Sequence, residues 1–362
     1  MEYLKYLNKG IESIKPYEPG RNIDEVLNEF GLSKIVKLAS NENNFGPSPK
    51  VLDILSNFSD FHLYPDGDGV ELKKSIQKNE GYDFDQIILG NGSNEILELI
   101  AKAFLSPSTE SIFSQHAFVV YKLASLVNGS NFHEVPAEDY GHSLKNFHDY
   151  INEKTRLIFI ANPNNPTGTY NSHSEIIDFL DKVPNDVLVV IDLAYYEYVL
   201  AEDYIDHKEI LNSYSNVIFT RSFSKIHGIP ALRIGYGVAN QKLIEVLNRI
   251  RQPFNVNTIA QKAAIASLED KYHLENSISK NHKNKLELYN LLDELGVEYI
   301  KSEGNFIAIK TNVDNRNLFQ NLMKDGVIIR PIDLYEMPEF IRVTIGTSEE
   351  NKFFIDALKK YI

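Results

Sequence analysis

The residues with the most chemistry in this sequence stand where short apolar runs stop. Leu157-Ile158-Phe159-Ile160 runs into Ala161-Asn162-Pro163-Asn164-Asn165-Pro166-Thr167-Gly168. Two Asn–Pro steps and a glycine force a turn, and the same turn holds an asparagine amide rigidly at a strand end. The most apolar run, Val187 to Ile191, ends on Asp192, with Tyr195 close behind. A carboxylate at the end of a buried strand needs a cation or hydrogen-bond donors. It suits either a helix cap or the counter-ion of a positively charged ring nitrogen. Val217-Ile218-Phe219 leads into Thr220-Arg221-Ser222-Phe223-Ser224-Lys225, followed by Gly228 and Arg233. Most lysines are solvated surface groups. Hydroxyls and an arginine around one, however, make an anion site beside a possible nucleophilic amine. A fourth loop, Gly90-Asn91-Gly92-Ser93-Asn94-Glu95, precedes a helix-like stretch. Its backbone N–H groups favour a phosphate with Ser93 as an added donor, while Ser93 or Asn94 serves equally well as an N-cap. Glu95 stands where a dinucleotide fingerprint needs its third glycine, which disfavours a nicotinamide site.

Each loop alone is explained by structure. Together, Asn165, Asp192, Tyr195, Lys225 and Arg233 form an ordered set that one cofactor needs in full. Pyridoxal phosphate requires a lysine for covalent attachment, an acid beside its ring nitrogen, donors to its phenolic oxygen and a cup for its phosphate.

The elements that must position these groups are legible from periodicity. Ile87–Leu89, Ser111–Phe113, Leu157–Ile160, Val187–Ile191 and Val217–Phe219 are continuous apolar runs, as in parallel strands buried on both faces. Apolar residues at Ile96, Leu97, Ile100, Ala103 and Phe104 make the stripe of an amphipathic helix, and Glu175–Val183 and Gln241–Ile250 read alike. Such alternation is α/β, with ligands at the carboxyl ends of the strands. After about residue 255 the texture changes. A long helical stretch, Ile259–Leu295, precedes strand candidates Phe306–Lys310, Val327–Arg330 and Phe340–Ile345 and a last helix, Glu349–Tyr361. The expected division is an N-terminal arm (1–30), a large cofactor-binding domain (31–255) and a smaller α+β domain (256–362).

The motifs resemble those of the fold-type-I aminotransferases, and within them the histidinol-phosphate aminotransferases. The resemblance runs almost end to end: LASNENNFGPSP (38–49), LYPDG (63–67), GNGSNE (90–95), HAFVVY (116–121), NPNNPTG (162–168), VVIDLAYYEY (189–198), SFSKIHGIPALRIGYG (222–237), GNFIAI (304–309), VIIRP (327–331) and IRVTIGT (341–347). It implies a three-layer fold with a mostly parallel central sheet, and it implies roles residue by residue. Lys225 would bind pyridoxal 5'-phosphate covalently and Asp192 would keep its ring nitrogen protonated. Asn165 and Tyr195 would donate to the phenolic oxygen, and Phe118 would stack on the ring. Ser93, Asn94, Ser222, Ser224 and Arg233 would hold the phosphate, with Tyr64 reaching it from the other subunit of a homodimer with shared active sites. Arg342 would take the α-carboxylate of the amino donor, and Arg330 and Tyr17 the substrate phosphate. Leu193 departs from the glutamate often found there in the family, at a position without a chemical part.

The reaction implied is transamination between histidinol phosphate and 2-oxoglutarate in histidine biosynthesis. An aromatic amino-acid aminotransferase and a threonine-phosphate decarboxylase share most of the motifs and stay as alternatives. A regulatory protein with an aminotransferase-like ligand domain would need a DNA-binding module ahead of the strand–helix pattern, which begins within the first fifty residues. Composition agrees with small-molecule substrates. The 362 residues are 43% apolar and 24% charged, enough for a large core, and the net charge of −13 argues against a nucleic-acid partner. There is no cysteine, so no disulfide and no thiolate metal site. No H-x-x-x-H pair accompanies the ten histidines. No apolar run approaches the ~18 residues of a membrane span, and the N-terminus lacks a secretory pattern. A cytoplasmic enzyme is the expectation.

Overall fold

The computed structural model describes residues 2–16 and 20–362. Seven strands form the central sheet: β1 (Ile87–Gly90), β2 (Glu110–Ser114), β3 (Asn131–Val135), β4 (Thr155–Ala161), β5 (Leu188–Asp192), β6 (Val217–Ser222) and β7 (Gly235–Ala239). Their order is β1-β7-β6-β5-β4-β2-β3. All neighbours pair in parallel except at β7, which is antiparallel to both β1 and β6.

Alternate residues of each strand enter different cores, as the twofold period of a strand requires. Ile158, Ile160, Val189, Ile191, Val217 and Phe219 join one cluster, while Leu157, Phe159, Leu188, Val190 and Ile218 join the other. Helices Ser93–Phe104, Val120–Val127 and Gln241–Asn248 cover the second face, and Val70–Glu80, His173–Leu180 and Thr258–Leu268 the first. This is the expected three-layer arrangement.

Two of these strands have no apolar signature. β3 is a sheet edge and exposes much of its length. β7 is glycine-rich because the helix from Ser93 packs directly on it. A Cβ on Gly235 would lie 2.5 Å from the Ser93 backbone nitrogen, and one on Gly237 would lie 2.9 Å from Ile96.

The smaller sheet contains Tyr299–Ile300, Phe306–Lys310, Arg330–Pro331 and Phe340–Thr344, all antiparallel. The expected strand Val327–Arg330 is split, since Val327–Ile328 pairs in parallel with Val36–Lys37 and only Arg330–Pro331 joins the smaller sheet. The single long helix expected over Ile259–Leu295 is two, Thr258–Leu268 and Lys271–Glu294. Between them Asp270 caps the second by accepting from the His273 N–H. Within the first thirty residues Ile23–Phe30 is helical, capped by Asn22, and buries Val26 beside Met323 and Ile328. The chain then passes Val36 and Leu38 through the core of the smaller sheet on its way to the carboxyl edge of the large one.

Candidate active site

A cavity of about 210 Å³ lies at the carboxyl ends of β4, β5 and β6. Ten of the residues picked out from sequence line it: Ser93, Asn94, Phe118, Asn165, Asp192, Tyr195, Ser222, Ser224, Lys225 and Arg233. They arrive from the start of the helix Ser93–Phe104, the turn before the helix Val120–Val127, and the ends of β4, β5 and β6 with the turns that follow them, which is what parallel strands ending side by side allow.

Asp192 is the last residue of β5 and is buried. Its Oδ1 accepts from the Thr220 hydroxyl (2.9 Å) and the Ala194 N–H (3.2 Å), and its Oδ2 from the Tyr121 hydroxyl (3.0 Å). Burial pushes its proton affinity up, and these three bonds together with the Lys225 charge oppose the push. Lys225 lies in the turn after β6, and its Nζ donates to the Ser40 carbonyl (3.2 Å). Burial, with the Arg342 and Arg233 guanidiniums, brings the amine down to about 8 while Glu42 and Asp192 hold it up. The Tyr195 ring lies beneath that amine, 5.4 Å from Nζ to its centroid.

At the other end of the cavity the helix Ser93–Phe104 opens on Gly92, a glycine in the left-handed region. A Cβ there would fall 2.3 Å from Arg233 Nη2, so only glycine leaves room for the guanidinium against the helix start. Arg233 Nη1 donates to the Ser224 hydroxyl (3.3 Å) and the Pro230 carbonyl (3.1 Å). A helix N-terminus, three serines and an arginine thus converge as an anion cup.

The remaining sequence candidates stand apart from that lining. Arg342 is buried on strand Phe340–Thr344 and donates to the Asn165 Oδ1 and to the Ala39 carbonyl (2.9 Å). Arg330 is half-buried and directly opposite Arg342 in the antiparallel register. Tyr64 is 82% exposed and stacks on Phe254, with centroids 4.8 Å apart. Tyr17 lies outside the described residues. Tyr121, Thr220 and Asn41 also belong to the site, and all three fall within the motif segments HAFVVY, the run from Thr220 to Lys225, and LASNENNFGPSP. Thr220 is polar near a strand end, Asn41 is polar in a loop and Tyr121 is in the first turn of a helix, and each touches Asp192 or Tyr195.

The profile of the family described as aminotransferase class I and II matches residues 33–358. The chain belongs to this family. Among its relatives, histidinol-phosphate aminotransferase 2 of Pseudomonas fluorescens is 43% identical, covering 100% of this chain and 98% of that protein. Histidinol-phosphate aminotransferase of Caldicellulosiruptor saccharolyticus is 44% identical, covering 97% and 99%. Among solved structures, histidinol-phosphate aminotransferase from Sinorhizobium meliloti, in complex with pyridoxal-5'-phosphate, aligns at a TM-score of 0.89 with 25% identity, over 97% of this chain and 96% of that one.

The cavity of this aminotransferase fits a phosphorylated pyridine aldehyde. It offers an amine of lowered basicity, a carboxylate held by three donors, an aromatic ring at Phe118, and an anion cup of three serines, a helix start and Arg233.

Proposed function

We propose that this aminotransferase moves the amino group of histidinol phosphate to 2-oxoglutarate, in histidine biosynthesis, with pyridoxal 5'-phosphate as its resident cofactor. The observation that carries the reading is the joint placement of Lys225, Asp192 and the Ser–Arg cup around one cavity. The choice of substrate rests on full-length likeness to relatives of that name and on the arginine pair. Arg330 and Arg342 stand face to face across two strands, where like charges repel, and an anion held between them offsets that repulsion.

Lys225 would hold the cofactor, with Asp192 at its ring nitrogen, Asn165 and Tyr195 at its phenolic oxygen, Phe118 on its face, and Ser93, Asn94, Ser222, Ser224 and Arg233 around its phosphate. Bound there, the cofactor supplies an electron sink for the pair left behind when a substrate Cα loses its proton. Lys225 would act as base toward that proton and as acid on the return. An amine near 8 suits both duties. Asp192 keeps a negative charge where a protonated ring nitrogen needs one. Arg342 would grip the carboxylate of glutamate or 2-oxoglutarate, and Arg330 with Tyr17 the phosphate of the amino alcohol. The arginine fork takes either anion in two hydrogen bonds, so one pocket serves both half-reactions.

Single-turnover absorbance tests the substrate. Cofactor-loaded enzyme is mixed in turn with histidinol phosphate, tyrosine, phenylalanine and threonine phosphate, and histidinol phosphate is expected to convert the cofactor fastest. A preference for tyrosine or phenylalanine makes the protein an aromatic aminotransferase. Carbon dioxide release from threonine phosphate makes it a decarboxylase.

The working unit we propose is a cytoplasmic homodimer with shared sites. Tyr64 stands among exposed Phe61 and Leu63, an apolar patch of the kind a second copy covers. Tyr64→Phe then removes one charge-assisted bond to the cofactor phosphate, about 1.5–3 kcal/mol, and weakens cofactor retention roughly 10- to 150-fold. A fully active monomer in sedimentation would contradict the sharing.

A further inference from the structure

Three consecutive residues of the crossing segment touch three functional side chains. The Ala39 carbonyl accepts from Arg342, the Ser40 carbonyl from Lys225, and the Asn41 side chain reaches Tyr195. Asn41 is 1% exposed and lies in the left-handed region at φ 54°, a conformation that non-glycine residues keep only where the surroundings hold it. The surroundings do hold it. Its N–H donates to the Thr344 hydroxyl (2.9 Å), and its carbonyl accepts from the Asn305 amide (3.1 Å). Its Nδ2 donates to the Tyr195 hydroxyl oxygen (2.9 Å), while its Oδ1 has no partner among the described residues.

We propose that Asn41 is a positioning residue that aims the Tyr195 hydroxyl hydrogen into the cavity and thereby lowers the proton affinity of the cofactor–lysine linkage. The inference rests on the reading above, in which Tyr195 faces the phenolic oxygen of the cofactor. A hydroxyl oxygen that accepts from an amide cannot direct its own hydrogen back along that bond, so the hydrogen is left for the cavity. Accepting one bond also strengthens the bond the hydroxyl donates. A strong donor there neutralises negative charge on the phenolic oxygen, and that charge is what holds a proton on the neighbouring linkage nitrogen. The other charges facing this point are Lys225 itself, Asp192 from β5, Arg342 from the smaller sheet, Arg233 after β6, and Glu42 beside Asn41. None of them is altered by changing the asparagine amide.

The test is a spectral pH titration of the cofactor band, which needs no turnover. Asn41→Gly keeps the left-handed backbone and deletes the amide. Asn41→Ala also deletes the amide and, like the glycine variant, adds no charge. Both variants are expected to raise the spectral pKa by about 0.4–1 unit, the size of one ordinary hydrogen bond. Tyr195→Phe should raise it further, and adding either Asn41 change to Tyr195→Phe should add nothing. An unchanged pKa in Asn41→Gly or Asn41→Ala, or a full shift that persists in the Tyr195→Phe background, overturns the proposal. Should Asn41→Gly fail to fold, Asn41→Ala and its double variant decide alone. A wild-type protein with no cofactor band at all would instead sink the cofactor reading on which the proposal rests.

Discussion

Arg221, fully buried, and Lys225, half-buried at the cavity, are both cations supplied by β6 and the turn that follows it, yet their surroundings differ in kind. Alternate residues of the strand face opposite ways. Thr220 and Ser222 turn to the cavity, while Arg221 turns to the other core. There its guanidinium meets Glu197 (3.0 Å) and Glu80 (3.5 Å) and lies over the Tyr196 ring, 4.2 Å from its centroid. Two carboxylates neutralise it and an aromatic face covers it, and its proton is held more firmly than usual. On the cavity side, the hydrogen bonds of Lys225 and Arg233 go to carbonyl and hydroxyl oxygens. Two carboxylates, Asp192 and Glu42, face the Lys225, Arg233 and Arg342 cations, and Glu42 is itself paired with Lys37. A buried cation already matched by carboxylates is scaffold. Cations gathered around a cavity with little negative charge form a site that attracts an anion.

The comparison is sharpest when each cation is removed. Lys225→Ala is expected to abolish essentially all turnover while the protein stays folded, since it deletes the amine and leaves no carboxylate stranded. Arg221→Met should do the reverse. Breaking a buried ion pair leaves Glu197 and Glu80 without their cation and costs about 3–5 kcal/mol of stability. The melting temperature should fall while kcat per folded molecule changes little. If Arg221→Met instead silences the folded enzyme, the two faces are not separable.

The arginines of the smaller sheet extend the same contrast to a lesser effect. Losing one charged contact of about 2–4 kcal/mol lowers kcat/KM roughly 30- to 1,000-fold. Arg342→Ala is expected to fall on the half-reaction with glutamate and 2-oxoglutarate, and Arg330→Ala more on the phosphorylated amine. Stopped-flow measurement of each half-reaction distinguishes them. Equal losses on every substrate, with a lowered melting temperature, would return both arginines to the scaffold.

The smallest effect is one of pH. With its amine near 8, Lys225 in the apoenzyme becomes the neutral nucleophile as pH rises through that value. The rate of cofactor capture should therefore climb about tenfold between pH 7 and pH 9 and then level off. An ordinary lysine would keep climbing past pH 10.

Much of this was written in the chain. Strands buried on both faces announce themselves as unbroken apolar runs, and β4, β5 and β6 deliver Asn165, Asp192 and Lys225 from their ends. What periodicity could not show were elements whose sequence is set by a neighbour. β7 is glycine-rich because a helix leans on it, and β3 is polar because it lies at an edge. The break at Asp270 hides in a continuous helical pattern, since a cap residue is not itself unusual there. Within the site, the groups that line the cavity were legible through the family motifs. Groups that hold those residues in place were not. Tyr121, Thr220 and Asn41 act through contacts between segments far apart in sequence, and no spacing encodes such a contact.

The most direct test of the account is the point of covalent attachment. The protein, purified with pyridoxal 5'-phosphate, is reduced with borohydride, digested and mapped by mass spectrometry. The expected result is one modified residue, Lys225, in a protein that was yellow before reduction and colourless at that wavelength afterwards. A label on another lysine, or no label in a protein that remains fully active, would contradict it.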